Sequence, residues 1–344
     1  MKKFIANRIR MARQAQGLSM DKLVEKMGNT ISKMSISKIE RGIFHPSQDV
    51  LSQIAQVCNV PMSYFFSKEY SINNFDFRIK GGKIPAQKEK QIKAQLTNKI
   101  EEHCKCEDTL NFGTTKFVNP FPNLAISSYD DAEDAAIKLR QCWQIGRQPI
   151  LSVYELLQEN GIMIIELPID CKGLVGTSTM VNNEIPVIII NTNENTNERK
   201  RFTALHELAH LLFSLQPADT NERVIDHPHG SVTIKPIDEE RMCECFASAM
   251  LMPRESMTRR LGASRKNITL NELISIRNLY GISISGAVHR AHDLAIISDS
   301  AYNNWYTNKI NKNHMEEGWG CYPINEVADR HQLLMERMKT EIEN

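Results

Sequence analysis

The chain has 344 residues, 41% of them hydrophobic and 24% charged, enough for two or three domains, each with its own core. Its longest apolar runs, such as Val187 to Ile190 and Met250 to Met252, fall far short of the ~20 residues of a membrane span, and Met1 to Arg8 lacks the apolar centre of a signal peptide; with eight scattered cysteines this leads us to expect a cytoplasmic protein without membrane contact. The formal net charge of +1 hides an asymmetry, because residues 1–68 hold eleven Lys/Arg against four Asp/Glu, +7, which leaves −6 for the remainder and points to nucleic-acid contact at one end.

Residues 1–68 read as a compact all-α bundle. Phe4, Ile5, Ile9 and Ala12 recur at helical spacing up to Gly17; Ser19 caps a second helix carrying Leu23, Val24 and Met27. After a turn through Asn29 and Thr30, Ser32 caps a third helix with Ile36 and Ile39 inward, and Ser47 opens a fourth through Val50, Leu51, Ile54 and Val57. Helix, short turn, helix is a DNA-reading unit. The run Ser32 to Gly42, then Pro46-Ser47, Leu51 and Ile54-Ala55, resembles the lambda-repressor-like (XRE) helix-turn-helix family over nearly the whole segment. That resemblance implies that Ser32, Lys33, Met34, Ser37 and Lys38 face DNA, while Glu40 and Arg41 are structural. The sequence departs from the family at Met20, where Gln is common, and at Met34, where a polar base-reading residue is frequent; methionine offers only apolar contact, as to a thymine methyl. The same fold can instead serve dimerisation, so a homodimer is a further expectation.

Residues 69–125 read as a linker, with Gly81-Gly82 and Pro120 to Asn123 as breaks and a connecting helix from Lys88 to Cys106 whose Leu96, Lys99, Ile100 and His103 share a face. Cys104 and Cys106 stand two apart on that helix, as do Cys243 and Cys245 on a later one. Such side chains point roughly 200° apart and cannot share a metal without unwinding; the cysteines are expected to behave mostly as small buried hydrophobes, with an exposed thiol pair open to oxidation as the alternative.

From residue 126 to 298 helix and strand alternate. Asp131 to Trp143 and Pro149 to Asn160 read as helices; Ile162 to Leu167, Lys172 to Val181 and Pro186 to Asn191 read as strands, the last two joined by a turn at Asn182-Asn183. An α+β domain follows, its sheet lying on the next helix, with Thr177 to Val181 a candidate edge for a substrate strand. That next helix is Arg201 to Phe213, which places His206 and His210 one turn apart on one face with Glu207 between them. Two neutral imidazoles so aligned hold a zinc ion, and a glutamate beside them can take a proton from water: the H-E-x-x-H arrangement of metallopeptidases. A plain core helix with two satisfied histidines is the competing reading, and the apolar flanks Phe202, Leu205, Ala209, Leu212 and Phe213 weigh against it, since buried His and Glu need partners. A catalytic zinc wants a third protein ligand, and the helix Asp238 to Pro253 offers Glu240 and Glu244, four apart on one face.

Arg201-Phe-Thr with His206-Glu-Leu-Ala-His210, then Glu240, Phe246-Ala247 and Leu251-Met-Pro253, resembles the ImmA/IrrE metallopeptidases, which often carry an XRE domain in front. The resemblance runs from about Asp131 to Ser298. It implies a zincin-like fold of the gluzincin kind binding one catalytic Zn²⁺ through His206, His210 and Glu240, with Glu207 as base. It also implies a protein substrate, a cognate transcriptional repressor whose cleavage induces mobile-element or stress genes. Glu244 takes a place where relatives usually have Asn and would accept a hydrogen bond from the far nitrogen of a ligand histidine; His289 replaces a common Tyr. His289 and Arg290, with His227 and His229 of the loop Asp226 to Gly230, are candidate oxyanion donors. Residues 299–344, with a final helix near Glu326 to Ile342, read as a helical extension without chemistry. The rival functions are a zinc-dependent regulator that cuts nothing, which Glu207 opposes because a structural site gains little from a base, and an antitoxin or immunity component.

Overall fold

The computed structural model describes residues 2–66, 70–73, 75, 77, 79, 84–110, 115–121, 126, 128–193, 196–213, 223–227, 230–234, 239–312, 318–328, 333, 336, 337 and 340, of which 2, 3, 110, 223–227 and 230–234 are described by backbone alone.

Four helices, α1 (Lys2–Ala15), α2 (Met20–Lys26), α3 (Lys33–Glu40) and α4 (Gln48–Cys58), pack with a 3₁₀ turn (Met62–Phe66) around one small core. Ser19, Ser32 and Ser47 each accept a hydrogen bond from a backbone N–H of the following first turn, so all three starts legible in the sequence are capped starts. Ile9, Leu23, Ile36 and Ile54 close the centre. Arg13 and Glu40 are buried together, paired through Nε–Oε1 at 2.6 Å and Nη2–Oε2 at 2.8 Å. Glu40 is structural, as its place in the helix-turn-helix pattern implied. Arg41 donates from Nε to the Ser37 carbonyl within its own turn.

The connecting helix α5 (Ala86–Leu110) is longer than the sequence pattern suggested and works on two fronts. Toward the bundle, Glu101 pairs with the buried Arg8, and Asn98 accepts from the Tyr64 hydroxyl at 2.7 Å. Toward the other side, Leu96, Ile100 and Cys104 pack on the sheet with Val181, Val187 and Ile189. Within residues 69–125, α5 therefore contributes a core face rather than a tether alone. Cys104 and Cys106 are both buried, which overturns the exposed thiol pair.

Next come α6 (Tyr129–Cys142) and α7 (Val153–Glu159); α7 begins later than the sequence suggested because Ser152 is its cap. The strands β1 (Met163–Leu167), β2 (Gly176–Val181) and β3 (Ile185–Asn191) form a sheet in the order β1-β3-β2, with β1 parallel and β2 antiparallel to β3. Asn182 and Asn183 turn β2 into β3 with φ of 53° and 57°, the left-handed pair a tight hairpin requires. Side chains alternate along β3: Ile188 and Ile190 enter the main core with α8 (Asn197–Leu212), while Val187 and Ile189 meet α5. A sheet covered on both faces explains why β3 reads as a continuous apolar run.

A second hairpin, β4 (Arg223–His227) and β5 (Gly230–Ile234), was read from sequence as loop. Beyond it α9 (Glu239–Leu251) crosses α8 through Phe246, Ala249 and Met250, followed by α10 (Arg254–Leu261), α11 (Leu270–Tyr280), α12 (Ile284–Asp293), α13 (Asp299–Trp305) and a π-helical turn (Tyr306–Ile310). The layout is multidomain, a helical bundle followed by a mixed domain of helices and a small sheet. No helix among the described residues is long and apolar enough to cross a membrane.

The described residues 318–328 pack onto the domain as a cap, and the departure from expectation is at Glu326. Glu326 lies outside any helix and is fully buried; the helix expected from it to Ile342 falls largely outside the described residues. Its carboxylate accepts from Val153 N and Tyr154 N at 3.0 Å and from Ser152 Oγ at 2.9 Å, closing the N-terminus of α7, and it pairs with Arg201 of α8. The fully buried Arg201 also donates to the carbonyls of Leu151 at 3.0 Å and Ile150 at 2.6 Å. Gly281 makes room for it, since a Cβ there, at φ +64°, would lie 2.3 Å from Arg201 Nε.

Candidate metal centre

The length of α8 follows from its ends and its faces. Thr196 caps it, accepting from Arg199 N at 3.3 Å, and Ala204, Leu205, Leu208 and Ala209 are buried on every side but one. On that remaining side His206 and His210 stand one turn apart, each part-buried, with rings 4.8 Å apart at 76°. Their Nε2 atoms face each other at 3.1 Å. From the first turn of α9, Glu240 brings Oε2 to 3.2 Å from His206 Nε2 and Oε1 to 3.5 Å from His210 Nε2. One ligand atom from each of the three residues falls within a 4.8 Å span.

These separations suit a metal. Ligands about 2.1 Å from a tetrahedral ion lie about 3.4 Å from one another, close to the distances found. Two imidazole lone pairs aimed at one point repel unless a proton or a cation lies between them, and the carboxylate adds the negative charge that a divalent ion would offset. The donor set, two nitrogens and one oxygen, is one that zinc accepts.

Behind the histidines the arrangement differs from the expectation for Glu244. Its carboxylate stands against Arg241 Nη1 at 3.3 Å. The far nitrogen of His210 instead faces Cys243 Sγ at 3.4 Å and Glu239 Oε1 at 3.6 Å. His206 Nδ1 is buried without a hydrogen-bond partner among the described residues. Arg241, from whose neighbourhood the correction comes, is held in turn by Asp293 at 2.5 Å, and an arginine between two carboxylates outcompetes a neutral imidazole for them.

Glu207, between the two histidines in sequence, is nearly buried. It accepts a hydrogen bond from Ser178 Oγ at 2.8 Å. Sequence reasoning placed Ser178 only in a candidate edge strand. The period of two along β2, which puts Gly176, Ser178 and Met180 on one face, was the signal that could have found it. Gly176 allows the approach, for a Cβ there would sit 2.6 Å from Thr203 Cγ2 and 3.7 Å from Glu207 Cγ. The strand β2 is outermost in its sheet, yet its outer side is occupied near the hairpin: Asn73 N donates to Met180 O at 2.9 Å, Asn182 N to Ser71 O at 2.7 Å, and Thr179 Oγ1 to Asn73 O at 2.9 Å. The edge expected to be open to substrate from Thr177 to Val181 is thus covered at its Met180–Val181 end.

Residues 9–65 match the helix-turn-helix family, and residues 157–292, which enclose the whole cluster, match the IrrE N-terminal-like domain of peptidase family M78. The chain carries a helix-turn-helix domain and an IrrE-like domain. Uncharacterized helix-turn-helix-type transcriptional regulators from Sinorhizobium medicae and Rhizobium meliloti are each 39% identical to it over 62 residues, 18% of this chain and 43% of theirs. The chain thus spans less than half the length of the curated relatives it matches.

Of the four oxyanion candidates, two have described side chains, and these separate. Arg290 is buried and committed: both terminal nitrogens meet Glu133 of α6 at 2.6 Å, and Nε donates to Met252 O at 3.1 Å. It ties α12 to α6 and α9 and is withdrawn as a donor to substrate. His289 lines a cavity beside Glu244, packed between Tyr302 and Tyr306, with the Tyr302 hydroxyl 3.0 Å from its ring nitrogens. Burial holds its pKa below the usual imidazole value, with Asp293 pulling the other way. His229 and the side chain of His227 lie outside the described residues.

In the helix-turn-helix domain the predicted DNA-facing residues gather on the open side of α3. Ser32, Lys33 and Met34 are exposed and Ser37 and Lys38 half-exposed. Lys33 Nζ sits 2.7 Å from Asp21 in an exposed pair, and Lys38 Nζ lies 5.1 Å from the centre of the Phe44 ring. Met20, by contrast, packs against the bundle core.

Proposed function

We propose that this chain is a DNA-binding regulator whose IrrE-like domain is a zinc-dependent endopeptidase of zincin-like fold, with a transcriptional repressor as substrate. The observation that carries this reading is the meeting of His206, His210 and Glu240 within 4.8 Å, with Glu207 next in sequence to the first. A structural site needs only the ligands, whereas a glutamate held beside them by Ser178 is what hydrolysis needs.

His206, His210 and Glu240 would hold the ion. Zinc bound there supplies Lewis acidity, lowering the pKa of a water and polarising the peptide carbonyl it attacks. Glu207 accepts the proton of the attacking water and passes it to the departing amine. The Ser178 hydroxyl fixes the Glu207 rotamer, so that little orientational freedom is lost when substrate arrives. His289 lines the adjoining cavity, where its ring N–H would donate a hydrogen bond to a developing oxyanion.

DNA binding rests on the +7 charge of residues 1–68 and on the open side of α3. The Lys33–Asp21 pair is solvent-exposed and contributes little to stability, so phosphate can compete for the lysine. The test is to incubate the zinc-loaded chain with proteins encoded beside it and to look for one discrete cut that Glu207→Gln abolishes. A repressor left intact by the loaded chain under conditions where its operator is induced would contradict the proposal.

A further inference from the structure

A cavity of about 820 Å³ opens between the first two turns of α8, the middle of α9 and the start of α12. Two of its lining residues stand one helical turn from the metal cluster. Phe202, one turn before His206 on the same face, lines it and stacks on that imidazole with ring centroids 6.2 Å apart. Glu244, one turn after Glu240, lines it from α9. A chain segment bound across the cluster would therefore pass within about one helical turn of this opening.

The charges in its walls are mostly spoken for. Glu244 meets Arg241 at 3.3 Å, Arg241 meets Asp293 at 2.5 Å, and Glu198 accepts the Tyr322 N–H at 2.5 Å. Arg199 is the exception. It lies two turns before His206, on the face that carries Phe202 and the imidazole, and its guanidinium sits 5.8 Å from the centre of the Phe202 ring. Among the described residues it has no ion pair and no side-chain hydrogen bond; Glu244 acts on it only from longer range. Burial depresses its pKa, and the distant Glu244 offsets that only in part. A charge left in this state gains more from an incoming carboxylate than a solvated surface arginine does. The remaining walls, Phe202, Leu251, Ile282 and Tyr306, suit the methylenes of a side chain on its way to that charge.

We infer that this cavity is the specificity pocket of the site and that Arg199 selects an acidic side chain, glutamate or aspartate, beside the bond to be cut. The inference rests on the peptidase reading and goes beyond it by naming a substrate feature. Long-range steering does not explain such a preference, since residues 69–344 carry a net charge of −6 and their field opposes an acidic ligand. The selectivity belongs to one side chain, and one substitution should invert it.

The test uses the full chain, zinc-loaded and bearing Glu207→Gln, to capture members of a peptide library of fixed length with one varied position. Peptides with Asp or Glu should be enriched on the order of tenfold over those with Lys or Arg. Adding Arg199→Glu should reverse the order, and Arg199→Lys should keep it; zinc content reports that each variant is folded. Equal rankings with Arg199 and with Arg199→Glu, or no capture at all, would overturn the inference. The captured acidic peptides are then given to the chain with Glu207 intact. If they are held but never cut, the peptidase reading fails while the acid-selective pocket stands.

Discussion

The two helices that carry the chemistry, α3 and α8, present it in opposite ways. The side chains of α3 expected at DNA lie on the outside of a bundle whose core is complete without them, and Met34 is 67% exposed. Those of α8 emerge from a helix buried on nearly every side, and each is defined by a residue far away in sequence: Glu240 for the histidines, Ser178 for Glu207, Glu326 for Arg201. A surface that reads a long polyanion needs charge and access, so small changes there are tolerated and their effects are shared. A site that must hold an ion and move a proton needs fixed geometry, and single changes there should be severe.

The sharpest way to sharpen that contrast is Glu207→Gln, expected to lower cleavage about 10²- to 10⁴-fold with metal content unchanged, as measured on a verified substrate. Next in size is Glu326→Ala. It leaves Arg201 buried without its counter-charge and opens the N-terminus of α7, at a cost of about 3–5 kcal/mol in urea unfolding. A cost under about 1 kcal/mol would mean that the pair is dispensable and the C-terminal segment only a cover. Ser178→Ala removes the hydroxyl that orients Glu207; kcat should fall about tenfold with KM nearly unchanged, and an equal rise in KM would point to substrate contact instead. Smallest are Lys33→Ala and Lys38→Ala. Each should weaken duplex DNA binding a few-fold and lower the salt slope by about one, because each removes one phosphate contact of several. If either lysine abolished binding outright, α3 would resemble α8 more than the comparison allows.

The same contrast explains what the sequence made legible. Helix starts at Ser19, Ser32 and Ser47, the Asn182-Asn183 turn, and the pairing of His206 with His210 are local, set within a turn or two of chain, and each could be read directly. Glu240 could be placed on the right helix, but its choice over Glu244 needed a family pattern, because spacing alone puts both on one face. Glu244 stands instead against Arg241, three residues before it on the same helix, a pair that spacing offers, while the Asp293 of α12 that fixes this arginine is one no local spacing announces. Arg290 looked like an available donor and proved to be a strut, since its partner Glu133 lies 157 residues earlier. The buried Glu326 was invisible for the same reason: nothing near it in sequence marks it as inward, and its partners begin 125 residues before it.

The central claim is that two histidines of α8 and one glutamate of α9 form a single metal site, and metal content tests it most directly. The full chain and its Glu240→Gln and Glu244→Gln variants would be purified alike, loaded with equimolar zinc, and weighed intact under native conditions. One zinc per chain is expected for the parent and for Glu244→Gln, and nearly none for Glu240→Gln, which loses a ligand and its negative charge together. Zinc retained by Glu240→Gln and lost by Glu244→Gln would contradict the account, placing the third ligand one turn further along α9.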